Sequence, residues 1–312
     1  MTTLNLKYYK GPDAYSEGAV EDELLALISA RRDIPAILAQ DRRWSILYHL
    51  SPERRGLLEW YPFEPGSRVL EVGAGCGALT GLLCEKAAWV TAVELSEKRS
   101  RIVVQRYAET PNLEVLAGNV MDMPLDGAYD YVTLIGVLEY ARSFIRSSQP
   151  GRDLLGRIAA MLKPEGRLIL AVENRFGLKY FAGAAEDHTG RMFDGIEGYP
   201  AGDGVETFSR DELSTLLQTS GYGGCRWYYP YPDYKCPTEI FSDRRLPGTN
   251  HKFQNAPNYD RDRLQLFSER LALQRIVSNG KFKFFSNSFL VEAVKMGGVA
   301  TKARRREEET ID

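Results

Sequence analysis

The stretch Val69-Leu-Glu-Val-Gly-Ala-Gly-Cys-Gly-Ala-Leu-Thr80 decides the fold. Val69–Val72 reads as a buried strand. Glycine then recurs at alternate positions (Gly73, Gly75, Gly77), and a helix follows. A chain without Cβ atoms can bend sharply there and let a ligand press against the backbone. The helix that follows is expected to aim free N–H groups into the same space. An acidic residue, Glu71, stands two places before the first glycine.

That carboxylate separates this loop from a dinucleotide loop. The dinucleotide pattern G-x-G-x-x-G clamps a pyrophosphate, whereas this one is G-x-G-x-G with a negative charge at the end of its strand. A carboxylate is poorly suited to touching phosphate and suits a cationic ligand such as an ammonium or a sulfonium. The segment resembles motif I of the class I S-adenosylmethionine (SAM)-dependent methyltransferases.

Outward from the loop, strand and helix patterns alternate from Ser67 to Asn174. Strands are expected at Val69–Val72, Trp89–Leu95, Leu113–Ala117, Tyr131–Ile135 and Leu168–Val172, with helices at Glu97–Ala108 and Arg152–Leu162. Such alternation predicts an α/β fold, a parallel sheet covered on both faces, with ligands bound beyond the carboxyl ends of its strands. The second strand ends in Val93-Glu94-Leu95, and Glu94 can accept hydrogen bonds from both hydroxyls of a ribose. The third ends in Gly118-Asn119-Val120. The fourth runs through Tyr129-Asp-Tyr-Val-Thr-Leu-Ile-Gly-Val-Leu-Glu-Tyr140 and resembles motif IV of the same family. Many relatives have histidine where this chain has Tyr140.

The resemblance covers residues 66–174 most closely. It implies a Rossmann-like methyltransferase fold: a seven-stranded, mostly parallel sheet whose last strand is antiparallel. It implies SAM as cofactor, held by Glu71, Gly73, Gly75, Gly77, Glu94, Leu95, Asn119, Val120, Ile135 and Gly136. The family often has aspartate where Asn119 stands, contacting the adenine amino group; an amide oxygen can accept from the same group. Ile135 and Gly136 are expected to border both the methionine part of the cofactor and the acceptor.

Composition narrows the class. With 312 residues and 44% hydrophobic content the chain can bury a large core. Its net charge of −2 gives no basic excess for a nucleic-acid backbone, and no Asn-Pro-Pro-Tyr-type motif follows the fourth strand. Cys76, Cys84, Cys225 and Cys236 form no CxxC pair, so neither a metal site nor a disulfide framework is expected. No secretory leader and no membrane-length apolar run is evident, and a cytoplasmic protein without membrane insertion is the expectation. The oligomeric state is left open.

Four regions are expected. Residues 1–62 form an N-terminal helical cap, with helices at Glu21–Arg31 and Ile34–Leu50. Tyr8, Tyr9, Gly11, Pro12 and Tyr15 in its lead-in read equally as a surface arm or a lid. Residues 63–174 form the SAM-binding core and 175–300 the acceptor side, and 301–312 are a charged, solvated tail. In the third region Ser209-Arg-Asp-Glu212 is a capping box that opens a helix. Cys225–Tyr231 and Ser286–Val294 are strands, a large insertion separates them, and Ser268–Ser278 inside it is helical.

A hydroxyl acceptor of high pKa usually needs a general base, an amine only its neutral form, and a thiol little help. Candidate bases follow the fifth strand: Glu173-Asn174 at its end, then Glu186-Asp187-His188. His188 reads as the base, with Asp187 orienting it or replacing it; the alternative is a histidine that holds its loop together. The aromatic run Tyr228-Tyr-Pro-Tyr-Pro-Asp-Tyr234 suits a flat or carbohydrate-like ligand, although strand core plus a turn is the other reading. Asn174, Tyr231, Asp233 and Tyr234 are the candidate acceptor contacts. The segments Glu173–Tyr180, Glu186–Gly190, Phe193–Tyr199 and Tyr231–Tyr234 resemble, more narrowly, bacterial methyltransferases found with glycosyltransferases in surface-polysaccharide gene sets. That implies O-methylation of a small polar or glycan acceptor. Two rivals stand beside it: an NAD-dependent sugar oxidoreductase, and a non-catalytic SAM-fold partner subunit.

Overall fold

The computed structural model describes residues 1–13, 16–125, 127–202, 204–254 and 263–297. Tyr15 and the tail 301–312 lie outside the described residues. Among the described residues nine strands form one sheet: β1 (Thr3–Tyr8), β2 (Arg68–Val72), β3 (Trp89–Glu94), β4 (Leu113–Gly118), β5 (Tyr129–Ile135), β6 (Leu162–Glu173), β7 (Tyr222–Tyr231), β8 (Glu239–Ser242) and β9 (Ser288–Lys295). Their order is β1-β4-β3-β2-β5-β6-β9-β7-β8. The pairs from β1 to β6 are parallel. β9 slots between β6 and β7 and runs antiparallel to both. Leaving out the two edge strands, this is the expected seven-stranded sheet with its antiparallel last strand.

The edges were harder to foresee. β1 extends the sheet beyond β4, yet all of its residues are exposed or half-buried, so no continuous apolar run announces it. β8 has four residues and, among the described strands, pairs only with β7. The central strands bury both faces, and their sequences are correspondingly rich in Val, Leu, Ile and Ala, with Glu71, Glu94 and Glu173 at or near their carboxyl ends. Along β6, Leu168, Leu170 and Val172 enter one hydrophobic cluster, which also takes in Leu155 and Ile158 of the helix Pro150–Met161 and Leu213 and Leu217 of the helix Arg210–Thr219. Ile169 and Ala171 enter the opposite one, with Leu82 and Leu83 of the helix Thr80–Lys86.

Local signals hold where they were strong. Ser209 accepts from the Glu212 amide and Glu212 reaches back to the Ser209 amide, a complete capping box. Ser268 caps Glu269–Ser278. The single helix expected over Ile34–Leu50 is instead two, Ile34–Gln40 and Trp44–Leu50. Asp41 takes an extended conformation and accepts from the Arg43 amide at 3.0 Å, a local turn bond that competes with the helix.

The N-terminal region is tied to the core by buried charge. On the helix Glu97–Arg106, Arg99 meets Glu21 at 2.6 Å and Glu17 at 2.7 Å. Glu17 also meets buried His49 at 3.1 Å. Burial alone would raise the Glu17 pKa, but His49 and Arg99 overcome it and bring it to about 2.

Candidate functional site

A cavity of about 610 Å³ opens at the carboxyl ends of the parallel strands, within the roughly 300–1,000 Å³ usual for small-molecule sites. One end is built by backbone. Gly73, Gly75 and Gly77 all have positive φ, which L side chains adopt only with strain. A Cβ on Gly73 would sit 2.3 Å from Val137, whereas one on Gly75 would meet nothing within 4 Å. The Cβ position of Gly73 is therefore already filled by the Val137 side chain, whereas that of Gly75 faces open space. The amides of Gly73 and Ala74 both bond the Val93 carbonyl, at 2.8 and 3.1 Å. The helix begins at Thr80, and the cavity is lined by Val72–Cys76 of the loop together with Ala78 and the N-cap residue Leu79.

Two buried carboxylates brace the loop. Glu94 accepts from the Gly75 amide at 2.8 Å and from the Ser96 amide at 3.0 Å. Glu71 accepts from the Thr80 hydroxyl at 2.6 Å. Burial pushes the Glu71 pKa up to about 8, with the Glu94 charge adding to the rise and the Thr80 hydrogen bond opposing it. Of the residues expected to hold the cofactor, Glu71, Gly73, Gly75, Glu94, Leu95, Asn119, Val120, Ile135 and Gly136 line the cavity. Gly77 does not; it packs under Tyr107, with a Cβ position 2.9 Å from that ring. Asn119 caps its own turn, its side-chain oxygen accepting from the Met121 amide at 3.0 Å. An open backbone cradle with two acidic side chains fits SAM, whose sulfonium and amino groups are cationic and whose ribose donates hydrogen bonds. Glu94 would hold the ribose, Glu71 would face the positive end, and Asn119 and Val120 would border the adenine.

The other end is built by side chains. Lys179 bridges Asp187 at 2.8 Å and Asp233 at 2.7 Å. Lys235 meets Asp187 at 3.2 Å and also pairs with Glu173. Burial opposes the charge on both lysines, yet the facing carboxylates outweigh it and raise both pKa values. Burial likewise opposes the charge on Asp187, and the two ammonium groups hold its carboxyl well below the usual range. Tyr180 donates to the same carboxylate at 2.5 Å.

His188 is oriented by Glu186, not by Asp187. Its Nδ1 lies 2.8 Å from Glu186 Oε1, while Asp187 is occupied by the two lysines. Glu186 is itself fixed by the amides of His188 and Thr189. The Nε2 edge faces Glu139 and Glu173 at 3.7 and 3.9 Å, and Tyr140 meets the ring edge-on at 5.1 Å. Burial lowers the His188 pKa, but the carboxylates of Glu173, Glu139 and Glu186 outweigh it and hold the imidazole well above its ordinary value. With only these neighbours the ring is a proton donor.

The acceptor set needs two corrections. Asp233, Tyr234, Asp187 and His188 line the cavity, but Asn174 and Tyr231 do not. The Asn174 amide group donates to the carbonyls of Phe284 and Ser286, both at 2.7 Å, which ties the end of β6 to the segment before β9. Tyr231 donates to the Gln254 carbonyl at 2.5 Å and packs on Phe253. Both are structural. The lysines were missed because Lys179 and Lys235 lie in unrelated segments. The one local signal was a lysine set among aromatic residues, as in Leu178-Lys-Tyr-Phe181 and Tyr234-Lys235. The N-terminal region also contributes: Glu17, Trp44, Tyr48, His49 and Arg54 line the cavity.

This strand order, glycine loop and strand-end acid define a Rossmann-like methyltransferase fold. Residues 43–223 match the model of the family described as Methyltransferase domain. The chain belongs to that family of SAM-dependent methyltransferases, and SAM is its cofactor. A ribosomal RNA small subunit methyltransferase A from Syntrophus aciditrophicus is 31% identical over 80 residues, covering 26% of this chain and 26% of that protein. The mitochondrial ubiquinone biosynthesis O-methyltransferase of Schizosaccharomyces pombe is 32% identical over 114 residues, covering 35% of this chain and 39% of the other. The chain thus spans well under two thirds of the length of these curated relatives. Among solved structures, Haemonchus contortus phosphoethanolamine N-methyltransferase 1, in complex with phosphoethanolamine and S-adenosylhomocysteine, has a TM-score of 0.50 and 13% identity. That match covers 91% of this chain and 51% of that one, a likeness of fold. Among the described residues no helix is long and apolar enough to cross a membrane.

Proposed function

We propose that this protein methylates a hydroxyl group of a small polar acceptor, a sugar or glycan end being the class to which the narrower resemblance points. The observation that carries the reading is the cavity: a backbone cradle suited to SAM is continuous with a charged end that holds Lys179, Asp187, His188, Asp233 and Lys235. SAM supplies a methyl carbon on a positively charged sulfur that leaves as a neutral thioether. The protein's part is alignment and proton handling. Gly136 has positive φ, and a Cβ there would lie 2.8 Å from the Tyr234 hydroxyl, so its bare backbone lets Tyr234 close over the region where the two ligands would meet. The fixed charges at the far end would orient a polyhydroxylated acceptor, and the Glu139 carboxylate, which lines the cavity beside His188, would take its proton.

A net charge of −2 and an acidic acceptor end favour a small molecule over a nucleic acid, although RNA methyltransferases are among the relatives. One observation favours a second reading, an amine acceptor: the buried carboxylate of Glu139 lines the same cavity and would attract an ammonium group. Trideuteromethyl-SAM, incubated with the protein and a host extract and followed by mass spectrometry, tests both. Label in a hydroxyl of the small-molecule or glycan fraction is the expected result. Label on nitrogen selects the second reading, and label only in RNA or protein overturns both.

A further inference from the structure

We propose that Glu139, Glu173 and His188 form a binding site for a divalent cation of the Mn²⁺ or Zn²⁺ kind at the acceptor end of the cavity. Glu139 follows β5, Glu173 ends β6, and His188 comes from the loop beyond. No ligand spacing in the sequence joins them, and the cysteine pattern predicted no metal. One ligand atom from each lies within 4.8 Å of the other two. Three donors bound at about 2.0–2.2 Å to one ion stand ~3.4 Å apart in a tetrahedral arrangement. The His188 Nε2 distances of 3.7 Å to Glu139 and 3.9 Å to Glu173 are close to that span and too long for hydrogen bonds.

The carboxylates supply the independent observation. Glu139 is 1% exposed and Glu173 is fully buried. Both oxygens of Glu139 and Oε2 of Glu173 have no hydrogen-bond partner. Buried anionic oxygens are normally satisfied by donors or by a cation, because leaving them bare costs their full desolvation. Here five carboxylates (Glu139, Glu173, Glu186, Asp187, Asp233) surround two ammonium groups and one imidazole. The outer contacts are those of a ligated site. An ionised Glu186 can only accept, so His188 donates through Nδ1 and turns Nε2 towards the two acids. Lys235 pairs with the other oxygen of Glu173 and fixes that carboxylate. One imidazole and two carboxylates suit a first-row divalent ion, and with three protein ligands a position remains for the acceptor.

The role of the ion rests on the reading of function above; its binding does not. A coordinated acceptor hydroxyl would release its proton to solvent more readily. The freed oxygen pair then forms the O–CH₃ bond as the C–S pair departs on sulfur. In this arrangement His188 is a ligand rather than the base.

Titration of the metal-free protein with Mn²⁺, followed by loss of the free-ion EPR signal, and with Zn²⁺ by calorimetry, tests the site. We expect one ion per chain, and affinity weakened about tenfold or more by Glu139→Gln and by His188→Asn. SAM affinity, measured on the same samples, should stay unchanged and show that the variants are folded. Glu186→Gln should weaken binding less. Folded protein that takes up neither ion overturns the proposal, as does uptake indifferent to both ligand variants. Methyl transfer at full rate in EDTA overturns the catalytic role. One ion bound with no methyl transfer to any fraction upholds the site and overturns the reading of function.

Discussion

At the cofactor end of the cavity the wall is built chiefly on the loop Val72–Leu79 and the strand ends at Glu94–Leu95 and Asn119–Val120, and two carboxylates brace the loop. At the acceptor end they come from side chains delivered by positions 139, 173, 179, 186–188 and 233–235. The first end is shaped by steric exclusion, since a Cβ at Gly73 has nowhere to go. The second is held by buried charge, which is stable only while every partner is present. The two ends should therefore fail differently, and mutations can separate them.

The largest effect should come from Lys179→Met. It takes from Asp187 and Asp233 one of the two lysines they share, leaving Lys235, and breaking a buried pair in this way costs about 3–5 kcal/mol. Urea unfolding should register that loss, while SAM affinity in the folded protein changes little. A large loss of SAM affinity would show the two ends to be coupled. Gly73→Ala should do the reverse. It forces a side chain onto φ +76° and sets a Cβ 2.3 Å from Val137, which together cost about 2–4 kcal/mol. SAM affinity by calorimetry should fall about a hundredfold, and Val137→Ala on the same chain should recover the steric share only.

Glu94→Gln keeps the shape and removes the charge. Losing hydrogen bonds to a charged group costs about 1.5–3 kcal/mol, so the SAM dissociation constant should rise at least about tenfold, with little change at the acceptor end. Glu71 provides a pH test. Its carboxyl is raised from 4.5 to about 8 in the folded protein, so between those values the folded state binds the extra proton. This group's contribution to stability must then decline as pH rises through that window, by up to about 1.4 kcal/mol per unit. Glu71→Gln should remove that slope; an unchanged slope would assign it to another group. The smallest effect is expected from Asn119→Ala, which deletes a turn cap worth about 1 kcal/mol and should weaken SAM binding only a few-fold.

The same contrast explains what the sequence made readable. The glycine loop, Glu71, Glu94 and the strand ends are encoded locally: positive φ demands glycine, and a fully buried strand demands an apolar run. The capping box at Ser209 and the cap at Ser268 were readable for the same reason. The acceptor end has no local code. Asp187 looked like the partner of His188 because it is adjacent in the chain, but Glu186, one residue further back, makes the bond and Asp187 turns to two lysines. Tyr231 looked like a ligand contact because the run around it is aromatic, yet its hydroxyl is spent on Gln254. Asn174 was likewise absorbed in joining β6 to the chain before β9. β1 escaped notice because an edge strand needs no apolar face.

The place of β9 bears on how the protein is made. It fills the slot between β6 and β7, pairing with Arg167–Glu173 of the one and Tyr222–Tyr228 of the other, although it is the last strand among the described residues. Until Ser288–Lys295 has been synthesised, β6 ends in an open edge, and β7 with β8 has no sheet to join. Such an edge is a template for pairing with other chains. A chain halted before residue 288 would hold the cofactor cradle beside an unguarded strand, so the pairing of β9 is also what protects this edge of the sheet from aggregation.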